Sequence, residues 1–374
     1  MPADPPTIRL PPGLVPADGR FGSGPSKIRD EAVGRLADAA HGYLGTSHRR
    51  DGVRSVVRRV RQGLAELFVL PDGYEVLLGN GGTSAFWDAA AFGLIEHRSQ
   101  HLSFGEFSAR FAGITRDAPF LEDPEVIESP LGTHPAAHAN PEVDAYALTH
   151  NETSTGVMMD LVRPDGAAGL VLVDATSAAG GLRFDPRAVD VYYFAPQKAF
   201  GSEGGLWLAA CSPAAVERIE RLAASGRWQP ASLSLAVALE NSRLDQTLNT
   251  PALTTLFLLA DTVEWMLEHG GLEWAATRCD ASAELLYGWA EASTFATPFV
   301  AKPAERSHVT ATIDFEGVDA AAVATALRAN GILDTEPYRK LGRNQLRVGL
   351  FPAVELDDVA VLTRAIDYIV DAWT

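Results

Sequence analysis

Cysteine is scarce in this chain: Cys211 and Cys279 are the only two among 374 residues, and they form no CxxC pair. That excludes a disulfide-dense secreted scaffold and a zinc ribbon, and it fits a reducing cytoplasm. Positive charge is also short. Lysine and arginine number 31 against 48 aspartates and glutamates, a net of −17 at pH 7. So acidic a surface repels nucleic acid and anionic lipid, and an anionic ligand must be met by arginines gathered at one place. Long apolar runs are missing too, although 47 % of residues are hydrophobic. The best candidate, 247–260, is interrupted by Asn249 and Pro251 and falls short of the ~20 residues that span a bilayer. The first twenty residues hold six prolines and no apolar stretch, which argues against a signal peptide and predicts an extended surface arm over 1–20.

What is present is alternation of strand-like and helix-like segments. Val53, Val56, Val57, Val60, Leu64 and Leu67 recur at steps of three and four and mark one helix face. YEVLL (74–78) reads as a strand, GNGGTS (79–84) as a turn and 86–95 as a helix. Further strands are expected at AYALT (145–149), GLVLVD (169–174), VYYFA (191–195) and GLWLAA (205–210). Short apolar runs separated by helices or long crossovers predict an α/β sheet buried on both faces. From about residue 251 the texture changes: helices at 251–269 and 272–292, a strand at 308–315, a helix at 319–330, a strand near 345–350 and a helix at 356–371. The expected organisation is an arm (1–20), a large domain (21–268) and a smaller C-terminal α+β domain (269–374).

Three places could carry chemistry. In GNGGTS, Gly82, Thr83 and Ser84 open a helix, where unpaired amides and the positive end of the dipole suit a phosphate; an ordinary capped turn is the alternative. Neither GK[ST] nor GxGxxG follows. Asp174 ends an apolar strand, the usual position of functional groups in an open α/β sheet, and a carboxylate there calls for a cation. Lys198, in APQKAFG, follows the next buried strand 24 residues later, and desolvation there suits an amine that must lose its proton. Aspartate and lysine at one sheet edge, with a phosphate cup upstream, are the contacts that pyridoxal 5′-phosphate needs at ring nitrogen, aldehyde and phosphate. His134 and His138 lie in a Pro-containing loop without HExxH context and do not point to a metal.

Taken together, GTSHR (45–49), NETSTG (151–156), VDATSAAG (173–180), APQKAFG (195–201) and LNTP (248–251) resemble phosphoserine aminotransferases, class V aminotransferases of PLP fold type I, in their actinobacterial variant. The resemblance runs from FGSGPSK (21–27) to RVGLFPAV (347–354). It implies that Lys198 binds the cofactor aldehyde, that Asp174 keeps the ring nitrogen protonated, and that Thr153 hydrogen-bonds the phenolic oxygen or its surroundings. Gln197 would contact the phosphate, as would the cup of Gly82 and Thr83. Where the family commonly reads GGR this chain reads GGT, so Ser84 or backbone amides would replace an arginine. Phe107, or alternatively Phe104, would stack on the ring. Asn249 and Thr250, before a Pro251 expected to begin a helix, would reach the phosphate of the neighbouring subunit in a homodimer with shared sites.

For the substrate, the resemblance implies Arg49 and Arg347, with His48 assisting, because guanidinium groups grip carboxylates and phosphates bidentately. In YRKLGRNQLR (338–347), Arg339, Lys340 and Arg343 are all candidates for a phosphate grip. The implied reaction is amino transfer between L-glutamate and 3-phosphohydroxypyruvate, giving O-phospho-L-serine and 2-oxoglutarate. It would run ping-pong through pyridoxamine phosphate, with activity also on the phosphohydroxythreonine precursor of vitamin B6. The rivals are an alanine–glyoxylate type of transaminase, which would not need the basic segment at 338–347, and a non-enzymatic phosphate-binding protein, which would not need Lys198.

Overall fold

The computed structural model describes residues 8–373; the first seven positions of the expected arm lie outside the described residues. In chain order the elements are α1 (Asp30–Tyr43), α2 (Asp51–Leu67), β1 (Glu75–Asn80), α3 (Thr83–Gly93), β2 (Ser99–Ser103), α4 (Glu106–Asp117), β3 (Glu125–Glu128), β4 (Ala145–Thr149), β5 (Asn151–Glu152), β6 (Val157–Met158), β7 (Leu170–Asp174) and β8 (Val191–Phe194). They continue with β9 (Leu206–Cys211), α5 (Pro213–Ala224), α6 (Leu235–Arg243), α7 (Leu253–His269), α8 (Gly271–Ala292), β10 (Ala296–Pro298), β11 (Thr310–Phe315), α9 (Ala320–Ala329), β12 (Gln345–Gly349) and α10 (Leu356–Asp371).

Seven strands form one sheet in the order β1-β9-β8-β7-β4-β2-β3. Only β9 runs against its neighbours β1 and β8; the pairs β8–β7, β7–β4, β4–β2 and β2–β3 are parallel. Side chains alternate between the faces of a strand, and the two cores follow that rule. Tyr146, Leu148, Val171, Val173, Tyr192 and Phe194 join the core under α2 and α7. Ala145, Ala147, Leu170, Leu172, Val191 and Tyr193 join the one under α3, α5 and α6. Continuous apolar runs such as LVLVD are what burial on both faces requires. The expected α/β sheet between helices is therefore present.

The last hundred residues build a separate antiparallel sheet, β10-β11-β12, covered by the end of α8 and by α9 and α10 around a core of its own. The N-terminal segment is tied to this second layer rather than simply laid on the surface. Leu10 and Phe21 are buried in its core, and Gly19 and Phe21 exchange backbone hydrogen bonds with Leu333. Parallel pairing aligns Thr149 with Asp174 at the carboxyl ends of β4 and β7, and the chain leaving β8 brings Gln197 and Lys198 to the same edge.

Candidate active site

A cavity of about 390 Å³ opens at that edge, lined by Gly82, Thr83, Ser84, Trp87, Phe107, Thr153, Asp174, Thr176, Gln197 and Lys198 among others. Most of the residues expected to meet one cofactor are thus gathered from five separate segments.

Lys198 sits in a tight turn closed by Gly201 N–H on its carbonyl at 2.8 Å. Its aliphatic stem lies on Gly24, where a Cβ would come within 2.6 Å of Cε and where a φ of +130° favours glycine. Nζ donates to Thr153 Oγ1 at 2.9 Å, Thr153 donates to Ser177 Oγ at 2.8 Å, and Ser177 donates to the Asn151 carbonyl at 2.9 Å. Burial, and then the Arg347 charge, lower the amine from 10.5 to about 8, against the opposing pull of Asp174 and Glu152. A sizeable neutral fraction at physiological pH follows, which an ordinary lysine lacks.

Asp174 is buried, and loss of water raises its carboxyl above the usual range, opposed by the hydrogen bonds of Thr176. Oδ1 accepts from the Thr176 amide at 2.9 Å and Oδ2 from the Trp87 indole N–H at 3.1 Å. A carboxylate so placed still lacks a cation, which a protonated ring nitrogen supplies. Gly82 caps α3 without a side-chain hydrogen bond, leaving the first amides of the helix free to receive a phosphate. Thr83 Oγ1 is 2.7 Å from Thr176 Oγ1. Gln197 Oε1 and Asn151 Oδ1 are buried without a partner, polar atoms that a bound cofactor would satisfy. The residues present fit pyridoxal phosphate.

Of the two phenylalanines, Phe107 lines the cavity with its ring centroid 5.4 Å from Lys198 Nζ, whereas Phe104 is buried in the core beside His134. Arg347, on β12, donates to the Thr153 carbonyl at 3.3 Å and lies over the Tyr338 ring. Its Nε is buried without a partner, and burial lowers the guanidinium below its ordinary value. In the basic segment Lys340 is ion-paired with Glu106 and Arg343 with Asp314, while Arg339 is exposed and has no ion pair among the described residues.

His48, Arg49, Asn249 and Thr250 do not line this cavity. His48 Nδ1 is 3.2 Å from Thr250 Oγ1, Arg49 binds the Leu248 carbonyl at 3.0 Å and the Gln246 side chain, and Asn80 donates to the Thr250 carbonyl at 3.0 Å. They form a second cluster, with Arg49, Asn249 and Thr250 exposed. Pro251 is not the first helical residue: α7 starts at Leu253 with Ala252 as its cap, so Asn249 and Thr250 stand in the connecting loop and do not open the helix. Sequence reasoning also missed Trp87 and Thr176, which orient Asp174. The indole falls four residues into α3, where a tryptophan reads as core packing.

Residues 21–334 match the family described as aminotransferase class-V. A putative phosphoserine aminotransferase of Mycolicibacterium vanbaalenii is 58 % identical over 97 % of this chain and 98 % of its own. The chain belongs to the phosphoserine aminotransferase family of class-V aminotransferases. Among solved structures, a phosphoserine aminotransferase of Cytophaga hutchinsonii superposes with a TM-score of 0.86 at 24 % identity, over 94 % of this chain and 99 % of that one. A PLP-bound phosphoserine aminotransferase of Trichomonas vaginalis gives 0.82 at 19 %, over 94 % and 99 %. The fold is that of PLP fold type I, and this aminotransferase uses pyridoxal 5′-phosphate.

Proposed function

We propose that the enzyme transfers the amino group of L-glutamate to 3-phosphohydroxypyruvate, forming O-phospho-L-serine and 2-oxoglutarate in serine biosynthesis. The observation that carries this reading is Arg347: a half-buried guanidinium with a buried, unpartnered Nε, near enough to the Lys198 amine to lower it and in no ion pair among the described residues. Both substrates bring a carboxylate that would complete it through paired hydrogen bonds. Arg339, exposed and free of ion pairs among the described residues, is then the cation of this segment left to take the second anion, since Lys340 and Arg343 are already engaged. The names carried by relatives at 58 % identity support the phosphorylated substrate.

When bound, the cofactor supplies an aldehyde that takes up the amino group and a ring that withdraws electrons from it. The chain's own residues do the rest. Asp174, held by Trp87 and Thr176, keeps a proton at the ring nitrogen. Arg347 fixes the substrate carboxylate, so the Cα proton faces Lys198. Nζ, depressed towards neutrality, removes that proton and returns it, and the same set of groups serves both halves of a ping-pong cycle. Phe107 walls the cavity and keeps water from the reacting bonds.

Within this reading 21–268 forms the cofactor-holding domain and 269–374 the smaller one, a division supported by their separate sheets. The enzyme is a cytoplasmic homodimer in which His48, Arg49, Asn249 and Thr250 serve the partner's cavity, a reading supported by their not lining their own. Phosphohydroxythreonine, with the same two anionic ends, is a second substrate. Among the described residues no helix is long and apolar enough to cross a membrane. The test is a coupled assay of O-phosphoserine with 2-oxoglutarate against alanine with glyoxylate. The first pair should lead in kcat/KM by on the order of a hundredfold or more; equal turnover of the second would replace this reading with the alanine–glyoxylate one.

A further inference from the structure

Glu152 enters the chemistry above only as a charge that opposes the lowering of Lys198, yet it is fully buried. It ends β5 one residue before Thr153. Its Oε2 accepts from the amides of Phe107 at 3.1 Å and Ser108 at 2.9 Å, with the Ser108 hydroxyl also 2.9 Å away. Oε1 accepts from the Ser154 amide at 3.2 Å and its hydroxyl at 2.7 Å, and the Ser154 hydroxyl accepts in turn from the Glu106 amide at 3.0 Å. The first turn of α4 therefore gives its free amides to the residues on either side of Thr153.

A carboxylate this deep is costly unless its charge is met. None of the ion pairs among the described residues includes it, so amides, hydroxyls and the positive end of α4 must hold it. The backbone makes room: a Cβ at Gly105 would come 2.3 Å from Glu152 Cγ and 2.5 Å from Cδ. Capping a surface helix requires neither full burial nor a glycine cleared for the purpose. What is particular here is the address. Phe107, whose amide is bound, turns its ring to Lys198 at 5.4 Å, and Thr153, the next residue along, receives the Lys198 amine at 2.9 Å.

We propose that Glu152 is a positioning residue that acts through Phe107, its carboxylate fixing the start of α4 so that the Phe107 ring stands ready for the cofactor before binding. This rests on the reading that Phe107 faces the cofactor ring. Preorganised walls bind more tightly than walls that must be ordered on binding.

The test is a double-mutant cycle on the equilibrium dissociation constant of pyridoxal phosphate, followed by quenching of intrinsic fluorescence in apoenzyme. The proteins are wild type, Phe107→Leu, Glu152→Gln and the double variant. Phe107→Leu should weaken binding roughly threefold to tenfold, the scale of one aromatic contact. Glu152→Gln, which turns one acceptor into a donor facing donors, should weaken it by a similar factor. The double variant should bind no more weakly than Phe107→Leu alone, because the carboxylate has no ring left to place. If the two factors multiply, or if Glu152→Gln lowers thermal stability while the dissociation constant stays at the wild-type value, the proposal is wrong. An unchanged constant in Phe107→Leu instead removes the reading of Phe107 itself. Glu152→Asp, which keeps the charge but draws it back from α4, runs through the same cycle with the same criteria should the glutamine variant not fold.

Discussion

Replacing Lys198 with methionine should stabilise the cofactor-free protein while abolishing turnover. The amine is buried, and its affinity for a proton falls from 10.5 to about 8 on folding. Between those values the unfolded chain binds more protons than the folded one, so this group makes stability rise with pH across that window. Below pH 8 it costs its full amount, on the order of 3 kcal/mol for a shift of that size. Methionine fills a similar volume with no charge to desolvate. At pH 7 the variant should therefore resist urea better than wild type, by at most about 3 kcal/mol less the hydrogen bond lost to Thr153. By pH 10 the advantage should shrink by about 2 kcal/mol, because the folded amine is then neutral and giving up that proton costs little so close to the unfolded value of 10.5. Urea midpoints of both proteins at the two pH values measure it. A difference of the same size at pH 7 and pH 10 would refute a desolvated amine at this position.

Asp174→Asn should fold and bind the cofactor but lose on the order of a hundredfold or more in kcat, as removing a preorganised charge does; unchanged kcat would reduce the aspartate to capping the turn that follows β7. Arg347→Ala should raise KM for glutamate and phosphoserine alike and cost about 2–5 kcal/mol in kcat/KM, with cofactor content normal by absorbance; intact kinetics would place the carboxylate grip elsewhere. Mixing inactive Lys198→Ala with an inactive protein altered at Asn249 and Thr250 tests shared sites. After subunit exchange about a quarter of wild-type activity should return, since half of the dimers are mixed and each carries one intact site. No recovery despite proven exchange would place both residues in their own subunit's site or outside the site altogether.

The strands buried on both faces were the legible part of the fold. AYALT coincides with β4, and GLVLVD, VYYFA and GLWLAA each match their strand to within a residue at either end, because burial on both faces leaves little but apolar residues. β2 carries no such mark. SQHLS is polar by sequence, and its burial is compensated where His101 Nε2 hydrogen-bonds with Ser99 and with Thr115 of α4. The arm was legible as proline-rich but not as anchored, since a lone Leu10 and Phe21 do not announce the core they enter. At the site, Asp174, Lys198 and the cup were readable because spacing put them on one sheet edge. Trp87 and Glu152 were not, because an indole inside an apolar helix and a glutamate between polar residues have a structural meaning by default, and only the fold shows what they touch.

Arg347 stands near enough to Lys198 to depress its basicity, and it has no ion pair among the described residues. On the proposed reading, a substrate carboxylate seated on that guanidinium would offset the part of the depression that Arg347 causes, burial remaining the larger part. The amine would then be a stronger base with a substrate in the site than without one, so that proton affinity would follow occupancy of the pocket.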